Sequence, residues 1–307
     1  MSVFALLLAA LLAAPHIHAA TADPAAGGDS LPPEWTLAGQ EAVCGAAPRA
    51  RTFELRAEER IVAVGNGMKA QVMTLDGRLT PVLEACQGDT VTLRMTNAGE
   101  MAHGIDSHAF RVSPDRFGPV DAGGTVSYSG VLGTPGAFMF HCASGPVTDV
   151  HIKSGMWGAM IVYPRAPLPR AREVAILQSG LFGEPGEGGV IRQDTGRMAR
   201  NEPWTMMFNG RLEHEHVAVR AGERVRVWFV NAGPGVSSVH VMGTLLDRVS
   251  ASGNPANAER DVQTALVPAG GGAMIEFRLP EKGMYMLVDH DNLRYLPYGF
   301  AVGFVSE

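Results

Sequence analysis

Two segments of the chain repeat each other, and this repeat limits the possible folds more than any other feature of the sequence. The segment 88–99 reads GDTVTLRMTNAG, and the segment 222–233 reads GERVRVWFVNAG, at an offset of 134 residues. A shorter pair, DGRL at 76–79 and NGRL at 209–212, has almost the same spacing. A period this long indicates a duplicated domain, because solenoid repeats are roughly 20–50 residues long.

Each copy of the repeat shows the alternation of a half-buried β-strand. Val91, Leu93 and Met95 are separated by single polar residues, and the second copy alternates in the same way. Such a period of two predicts strands. The 37 glycines and 20 prolines supply frequent turns between short strands. We therefore expect an all-β protein with two tandem Greek-key β-sandwich domains, residues 31–165 and 172–307, with the Gly-rich segment 180–201 as a surface excursion of the second.

The first residues of the chain predict export. The apolar run from Val3 to Ala14 is ended by Pro15, and Ala-Thr-Ala at 20–22 is a small-x-small cleavage site. A run of about 12 apolar residues is too short to span a bilayer. We expect a signal peptide over residues 1–22, cleaved before Asp23, and a periplasmic or secreted mature chain with no membrane span.

Composition excludes two broad classes of protein. With 46% hydrophobic residues the chain is too apolar for a disordered protein. With 25 Lys and Arg against 31 Asp and Glu, its net charge is −6, which argues against a nucleic-acid-coating protein because such a protein needs a basic face.

The chain has three cysteines, Cys44, Cys86 and Cys142. An odd number in an oxidising compartment leaves at least one thiol for another role. Cys142 is the candidate, because it follows His141 in a histidine-rich stretch. Cys44 and Cys86 either form a disulfide or are two separate buried thiols, and the sequence leaves both possibilities open.

Cys142 is followed by His151 and Met156, and His103 lies on the preceding strand region. One Cys, two His and a weak axial Met are the ligands of a blue-copper electron-transfer site. We therefore predict a type 1 copper site at these residues.

Strand parity divides the remaining site residues. Side chains alternate across a strand, so His141 must point away from the face of Cys142. Asp106 is two residues from His108 and shares its face, and His108 and His141 then meet on the outer face of the first domain. His290 ends the strand of the second domain that matches the one ending in His141, and it supplies a third imidazole. Three His ligands with an open position are typical of a catalytic metal site.

The motifs that carry chemistry resemble those of the copper-containing nitrite reductases, over roughly residues 60–307. They are HGIDSH at 103–108, HCA at 141–143, HIKSGM at 151–156, HVM at 240–242 and VDH at 288–290.

This resemblance implies cupredoxin-like domains, a homotrimer, two coppers per chain and the reduction of nitrite to nitric oxide. It assigns a proton-delivery pair, Asp106 and His240. The copper ligands that it implies are His103, Cys142, His151 and Met156 for type 1 copper, and His108, His141 and His290 of the next chain for type 2 copper.

Two positions depart from the family pattern. Met242 stands where the family usually has an isoleucine that shapes the substrate pocket, and Met is longer and more flexible. Ser107 replaces a usual aromatic residue between Asp106 and His108. These departures affect the expected substrate fit rather than the copper ligands.

Two other functions stay open on the sequence alone. A two-domain, laccase-like multicopper oxidase needs a trinuclear copper cluster held by His-x-His pairs, but outside the predicted signal peptide, which contains His16 and His18, only His214 and His216 have that spacing. A copper carrier would not need Asp106, His240 and His290. We expect four coppers per chain for the oxidase, two for the reductase and one for the carrier. The acidic charge favours a basic redox donor, such as a small cytochrome or cupredoxin.

Overall fold

The fold is taken from a computed structural model that describes residues 35–116 and 118–307. The predicted signal peptide lies outside the described residues. No helix in the described part of the chain is long and apolar enough to cross a membrane.

The strands described in the first half of the chain are β1 (Ala50–Gly65), β2 (Met68–Leu75), β3 (Val82–Cys86), β4 (Thr90–Asn97), β5 (Asp106–Ser107), β6 (Thr125–Val131), β7 (Gly136–His141) and β8 (Trp157–Tyr163). They lie in two sheets, with the orders β2-β1-β4-β6 and β3-β8-β7-β5.

The second half repeats this architecture and has additional strands. All of its strands are β9 (Arg172–Leu181), β10 (Val190–Ile191), β11 (Thr205–Phe208), β12 (Glu215–Val219), β13 (Arg224–Asn231), β14 (Ser237–Val241), β15 (Leu246–Ala251), β16 (Ala258–Val262), β17 (Ala265–Val267), β18 (Gly271–Arg278), β19 (Gly283–Asp289) and β20 (Val302–Ser306).

Helices are short. They are α1 (Gln40–Val43), α2 (Thr148–Lys153) and α3 (Thr195–Arg200), and the 3-10 helices Pro114–Arg116, Gly145–Val147, Glu187–Gly189 and His290–Tyr298.

The two halves share one topology. The order β2-β1-β4-β6 matches β11-β9-β13-β18, and β3-β8-β7-β5 matches β12-β20-β19-β14. Strands β1 and β4 pair in parallel, as do β9 and β13. This confirms the predicted all-β fold with tandem cupredoxin-like sandwiches. Residues 164–171, between β8 and β9, contain no helix or strand, while the domain limits 31–165 and 172–307 stay a prediction.

The three largest clusters of buried apolar side chains lie within the two halves and between them. The first core, with Leu93 and Phe140, lies between the sheets of the first half. The second core, with Phe229 and Phe277, lies between the sheets of the second half. A middle layer packs β7 and β8 against β9 and β13, and it includes Trp157 and Trp228. Because the middle layer uses the outer face of β7, it brings the end of that strand close to the second half.

The segment 180–201 corrects one expectation. It is not an excursion that belongs to the second domain alone, because β10 pairs in parallel with β2 of the first half. Ile191 is fully buried in a cluster with Val72 and Leu212. Burial of these apolar side chains stabilises the contact, which the polar, Gly-rich composition of the segment did not indicate.

Cys44 and Cys86 form a disulfide, with a Cα–Cα distance of 5.3 Å. Of the two alternatives for these residues, the disulfide is therefore the correct one. It joins the end of α1 to the end of β3, and it leaves Cys142 as a free, buried thiol.

Candidate metal centre

Strand β7 sends its side chains alternately to two sides. Phe140 and Cys142 lie in the first core, whereas Ala137 and Met139 lie in the middle layer. His141 follows the parity of Ala137 and Met139. The structure thus places His141 and Cys142, neighbours in the sequence, on opposite sides of the strand.

The first candidate centre, the Cys–His cluster, consists of His103, Cys142 and His151, all buried. The Cys142 Sγ atom lies 3.6 Å from His103 Nδ1 and 3.3 Å from His151 Nδ1. Met156 is fully buried in the same core, and its carbonyl oxygen accepts a hydrogen bond from the Cys142 backbone N–H at 3.0 Å. The ring nitrogens and the sulfur thus converge on one small volume.

Local structure fixes each member of the Cys–His cluster. His103 lies in the loop before β5, where its backbone N–H and carbonyl pair with Val120. His151 lies on α2, and its carbonyl accepts from the Met156 N–H, which holds Met156 beneath the helix. Backbone hydrogen bonds therefore hold the segments that carry His103, His151 and Met156.

The electrostatics of the Cys–His cluster favour the neutral form of His151. Burial, followed by the neighbouring His103, lowers the pKa of His151. Burial raises the pKa of the Cys142 thiol, against hydrogen bonds from Ser144 and Gly104 that lower it. Neutral imidazole is the form that binds a metal, and a bound metal deprotonates a thiol outright.

The second candidate centre, the Asp–His cluster, consists of Asp106, His108 and His141. The Nε2 atoms of the two imidazoles are 3.1 Å apart, and Asp106 Oδ2 lies 3.9 Å from His141 Nε2. Asp106 is the direct partner of His141 in the pairing of β5 with β7. The cluster is open on one side, because His108 is exposed.

Hydrogen bonds to backbone carbonyls set the tautomers in the Asp–His cluster. His108 Nδ1 donates to the Gly270 carbonyl at 3.0 Å, and His141 Nδ1 donates to the Cys142 carbonyl at 2.8 Å. Each Nε2 atom is then left as an acceptor that faces the other imidazole, which is the arrangement a shared metal ion requires. Burial, the largest cause, lowers the pKa of His141.

His240 and His290 lie together, apart from the Asp–His cluster. Their ring centroids are 5.3 Å apart, and His240 Nδ1 donates to the Gln263 carbonyl at 2.6 Å. Neither residue belongs to a metal-ligand cluster in the described part of this single chain. The structure therefore brings His108 and His141 together, but it does not bring His290 to them.

A buried carboxylate that the sequence reasoning did not identify lies directly before His290 in the chain. Asp289 is 1% exposed, and its Oδ1 accepts from the backbone N–H groups of Ser238 and Asp291. Its Oδ2 accepts from the side chains of Gln178 and Asn292. Asp289 thus ties β14, which carries His240, to the 3-10 helix that begins at His290.

Glu59 also escaped the sequence reasoning. Its Oε1 atom lies 3.3 Å from His103 Nε2. A signal for it exists, since Leu55 and Ala57 point into the first core and Glu59 continues the same parity along β1. A carboxylate in an inward series needs a buried partner.

The remaining residues of interest lie outside the clusters. Ser107 is buried, and Met242 is 52% exposed beside His240 on β14. His216 lies on the exposed face of β12, and neither it nor His214 joins a metal-ligand cluster among the described residues. A His-x-His pair that could serve a trinuclear centre is therefore not placed at either candidate site.

The donor sets fit copper. A thiolate, imidazole nitrogens and a thioether suit a copper ion in a trigonal site with a long axial ligand. The ligand atoms of each cluster lie within 4.8 Å of one another. The imidazoles of the Asp–His cluster, with an open side, suit a catalytic copper.

Family models agree with this chemistry. Models described as multicopper oxidase match residues 56–167 and residues 191–307. The matches fall on the two halves that share one topology, and copper is the metal that this family implies.

Individual relatives are more specific. The copper-containing nitrite reductase of Neisseria meningitidis serogroup B is 32% identical over 252 residues, which cover 77% of this chain and 63% of that protein. The chain thus spans less than two thirds of the length of that relative. The structure of a Cu-containing nitrite reductase from Thermus scotoductus matches with a TM-score of 0.76 and 28% identity, over 85% of this chain and 62% of that one.

A solved structure provides a more complete match. The copper nitrite reductase of Nitrosomonas europaea has a TM-score of 0.78 and 32% identity, and the match covers 84% of this chain and 94% of that one. The chain belongs to the family of copper-containing nitrite reductases.

Proposed function

We propose that this protein reduces nitrite to nitric oxide at a copper centre that two copies of the chain complete. The observation that carries this proposal is the peptide link between His141 and Cys142, which joins a buried Cys–His cluster to an open Asp–His cluster. One residue of the link belongs to each cluster, so an electron would have a short covalent path between them.

Under this proposal the two clusters hold different coppers. His103, Cys142, His151 and Met156 would hold type 1 copper, and His108 and His141, with His290 of a neighbouring copy, would hold type 2 copper. Bound copper would supply one-electron chemistry, with the type 1 ion receiving the electron and the type 2 ion receiving nitrite.

Nitrite takes up one electron and two protons and leaves as nitric oxide and water, so the site must deliver protons. Asp106 lies next to His141 at the open cluster, where its carboxylate can accept a hydrogen bond from protonated substrate. His240 donates from Nδ1 to Gln263, which leaves Nε2 to exchange a proton with a bridging water. We assign proton delivery to this pair.

Assembly is part of the proposal. Among the described residues of one chain, no third imidazole joins His108 and His141, and His290 lies elsewhere with His240. The sheet face that carries His240 also exposes apolar side chains, with Leu266 at 71% and Met284 at 56% exposure. Burial of this face against another copy would be favourable, and we propose the homotrimer that the family resemblance implies.

The redox partner is inferred from the net charge, and the location from the first residues of the chain. The net charge of −6 favours a small basic donor, a cytochrome or a cupredoxin. A signal peptide over residues 1–22 would direct the chain to the periplasm or outside the cell.

The proposal is tested by anaerobic turnover of the copper-loaded protein with a reduced dye and nitrite. We expect nitric oxide to form and copper analysis to give two ions per chain. Oxygen reduction with four coppers per chain would indicate the laccase-like oxidase instead. One copper and no turnover would indicate a carrier.

A further inference from the structure

Glu59 makes a contact that the proposed reaction does not use. It lies on β1, the strand whose residues Leu55 and Ala57 point into the first core, and it follows their parity. Its neighbour Glu58 has the opposite parity, and its carboxylate contacts Arg60 at 3.1 Å. Glu59 is therefore directed at the Cys–His cluster, and Glu58 is not.

The contact reaches a predicted copper ligand on the side away from the metal position. Glu59 Oε1 lies 3.3 Å from Nε2 of His103, which is fully buried. When the Nε2–H group of His103 donates a hydrogen bond to the carboxylate, Nδ1 of the neutral ring carries no proton. Nδ1 is the atom that faces Cys142 Sγ. Glu59 thus selects the tautomer of His103 that can bind copper.

The second oxygen of Glu59 holds the loop that leads to His103. Glu59 Oε2 accepts from the Glu100 backbone N–H at 3.1 Å. A Cβ atom at Gly99 would lie 2.5 Å from this oxygen, so the absence of a side chain there is what lets the carboxylate approach. The carboxylate therefore fixes both the ring of His103 and the backbone three residues before it.

The carboxylate of Glu59 is the acceptor in both contacts, from His103 Nε2 and from the Glu100 backbone N–H. An anion that accepts from an imidazole makes that imidazole a stronger donor to a metal. Stronger donation stabilises the more highly charged, oxidised copper.

We propose that Glu59 is a positioning residue for the Cys–His cluster, which orients His103 and lowers the reduction potential of type 1 copper. This inference rests on the proposed function, because it requires copper at His103, Cys142 and His151. Glu59 would act on electron entry and not on nitrite itself.

The test compares Glu59→Gln with Glu58→Gln in the copper-loaded, full-length protein. The amide of Glu59→Gln keeps the size of the side chain and can still accept from Nε2, but it removes the charge. The visible band of the copper thiolate is followed during a redox titration without nitrite. We expect at least a tenfold larger ratio of reduced to oxidised type 1 copper at a fixed potential, equal to about 59 mV for one electron.

Glu58→Gln is the control. It should leave the reduction potential of type 1 copper unchanged, because the Glu58 side chain points to the opposite face of β1. An unchanged or lowered potential in Glu59→Gln would overturn the inference, and so would an equal shift in both variants. A wild-type protein without a thiolate band would instead overturn the proposed function.

A second variant covers poor folding of Glu59→Gln. Glu59→Asp keeps the charge but withdraws the carboxylate from His103 by one methylene. We expect the reduction potential of type 1 copper to rise, but by less than in Glu59→Gln. We also expect the affinity for type 1 copper to fall by about 10-fold. A potential and a copper affinity equal to those of wild type would contradict a positioning role.

Discussion

The two halves of the molecule have the same topology but offer different chemistry at matching positions. Asn97 and Asn231, 134 residues apart in the repeat, each donate from Nδ2 to two backbone carbonyls, those of Met101 and Val120 in the first half and of Gly235 and Val267 in the second. The backbone around these loops is therefore equivalent. What differs is the side chains that the loops present.

The offset of 134 matches His103 with Ser237. His103 faces Cys142 at the Cys–His cluster, whereas Ser237 donates to Gln178 at 2.9 Å in a buried polar network that also includes Asp289. At this matched position the first half has a candidate metal-ligand cluster, and the second half has a network of hydrogen bonds. The same offset matches Asp106 with His240, the two residues assigned to proton delivery.

The two halves keep the same scaffold and differ in the side chains of their loops. Apolar cores and the matching Asn97 and Asn231 stabilise the scaffold in both halves. Under the proposed function only the first half would bind an electron-transfer copper, so the matching side chains of the second half are free to differ. The second half would contribute the exposed His290 instead.

Among the variants that test this difference between the two halves, Cys142→Ala is expected to have the largest effect. Removal of the thiolate should abolish the visible band and nitrite turnover, because the interior of the second half offers no replacement ligand set among the described residues. Absorption and copper analysis check this. Type 2 copper should stay bound, and a variant that kept its visible band would remove Cys142 from the copper site.

Asp106→Asn should lower nitrite turnover by about 100-fold or more, the scale of general acid–base catalysis, with both coppers bound. The pH profile of turnover should change as well. Asp115→Asn, an exposed carboxylate in a 3-10 helix, is the matched control. Loss of type 2 copper with an unchanged pH profile would mean that Asp106 only orients His141.

Asp289→Asn tests the hydrogen-bonded interior of the second half. An amide presents one acceptor oxygen, so its NH2 group would face two donors that now bind a carboxylate oxygen. We expect the affinity for type 2 copper to fall by about 10- to 100-fold, with the visible band retained.

Asp247→Asn, which removes only a surface ion pair with Arg278, is the control for this variant. Equal copper content in the two variants would show that Asp289 does not hold His290. Loss of the visible band would show that the two halves are not independent.

The sequence predicted what depends on short-range pattern. The repeat and the alternation along the strands indicated the sandwich fold, and the parity of His141 and Cys142 anticipated their opposite directions. Glu59 was missed because it is 44 residues from His103 and only the folded sheet brings the two together. Asp289 was missed for a similar reason, since two of its donors, Gln178 and Ser238, come from other strands.

The pairing of β10 with β2 was not predictable from its segment. A two-residue strand has no periodicity to detect, and Ile191 alone does not identify its partner. The disulfide was one of two alternatives because spacing along the chain does not determine the distance between two cysteines in space.

The smallest expected effect is on the stability of the copper-free protein. Burial holds the pKa of His141 and His151 below the usual value of about 6.5, so the unfolded chain takes up protons that the folded chain does not. The free energy of unfolding should therefore fall as the pH drops below about 6.5. Urea unfolding at several pH values measures this slope, and His141→Gln should make it shallower. An equal slope in both proteins would exclude His141 as a cause.

The most direct measurement asks whether two copies complete one site. His108→Ala and His290→Ala should each be inactive alone. When both variants are co-assembled in equal amounts, about one quarter of the interfaces should pair an intact His108 with an intact His290. We predict that nitrite turnover and type 2 copper return to about one quarter of the wild-type level. A mixture no more active than either variant would contradict a site shared between chains.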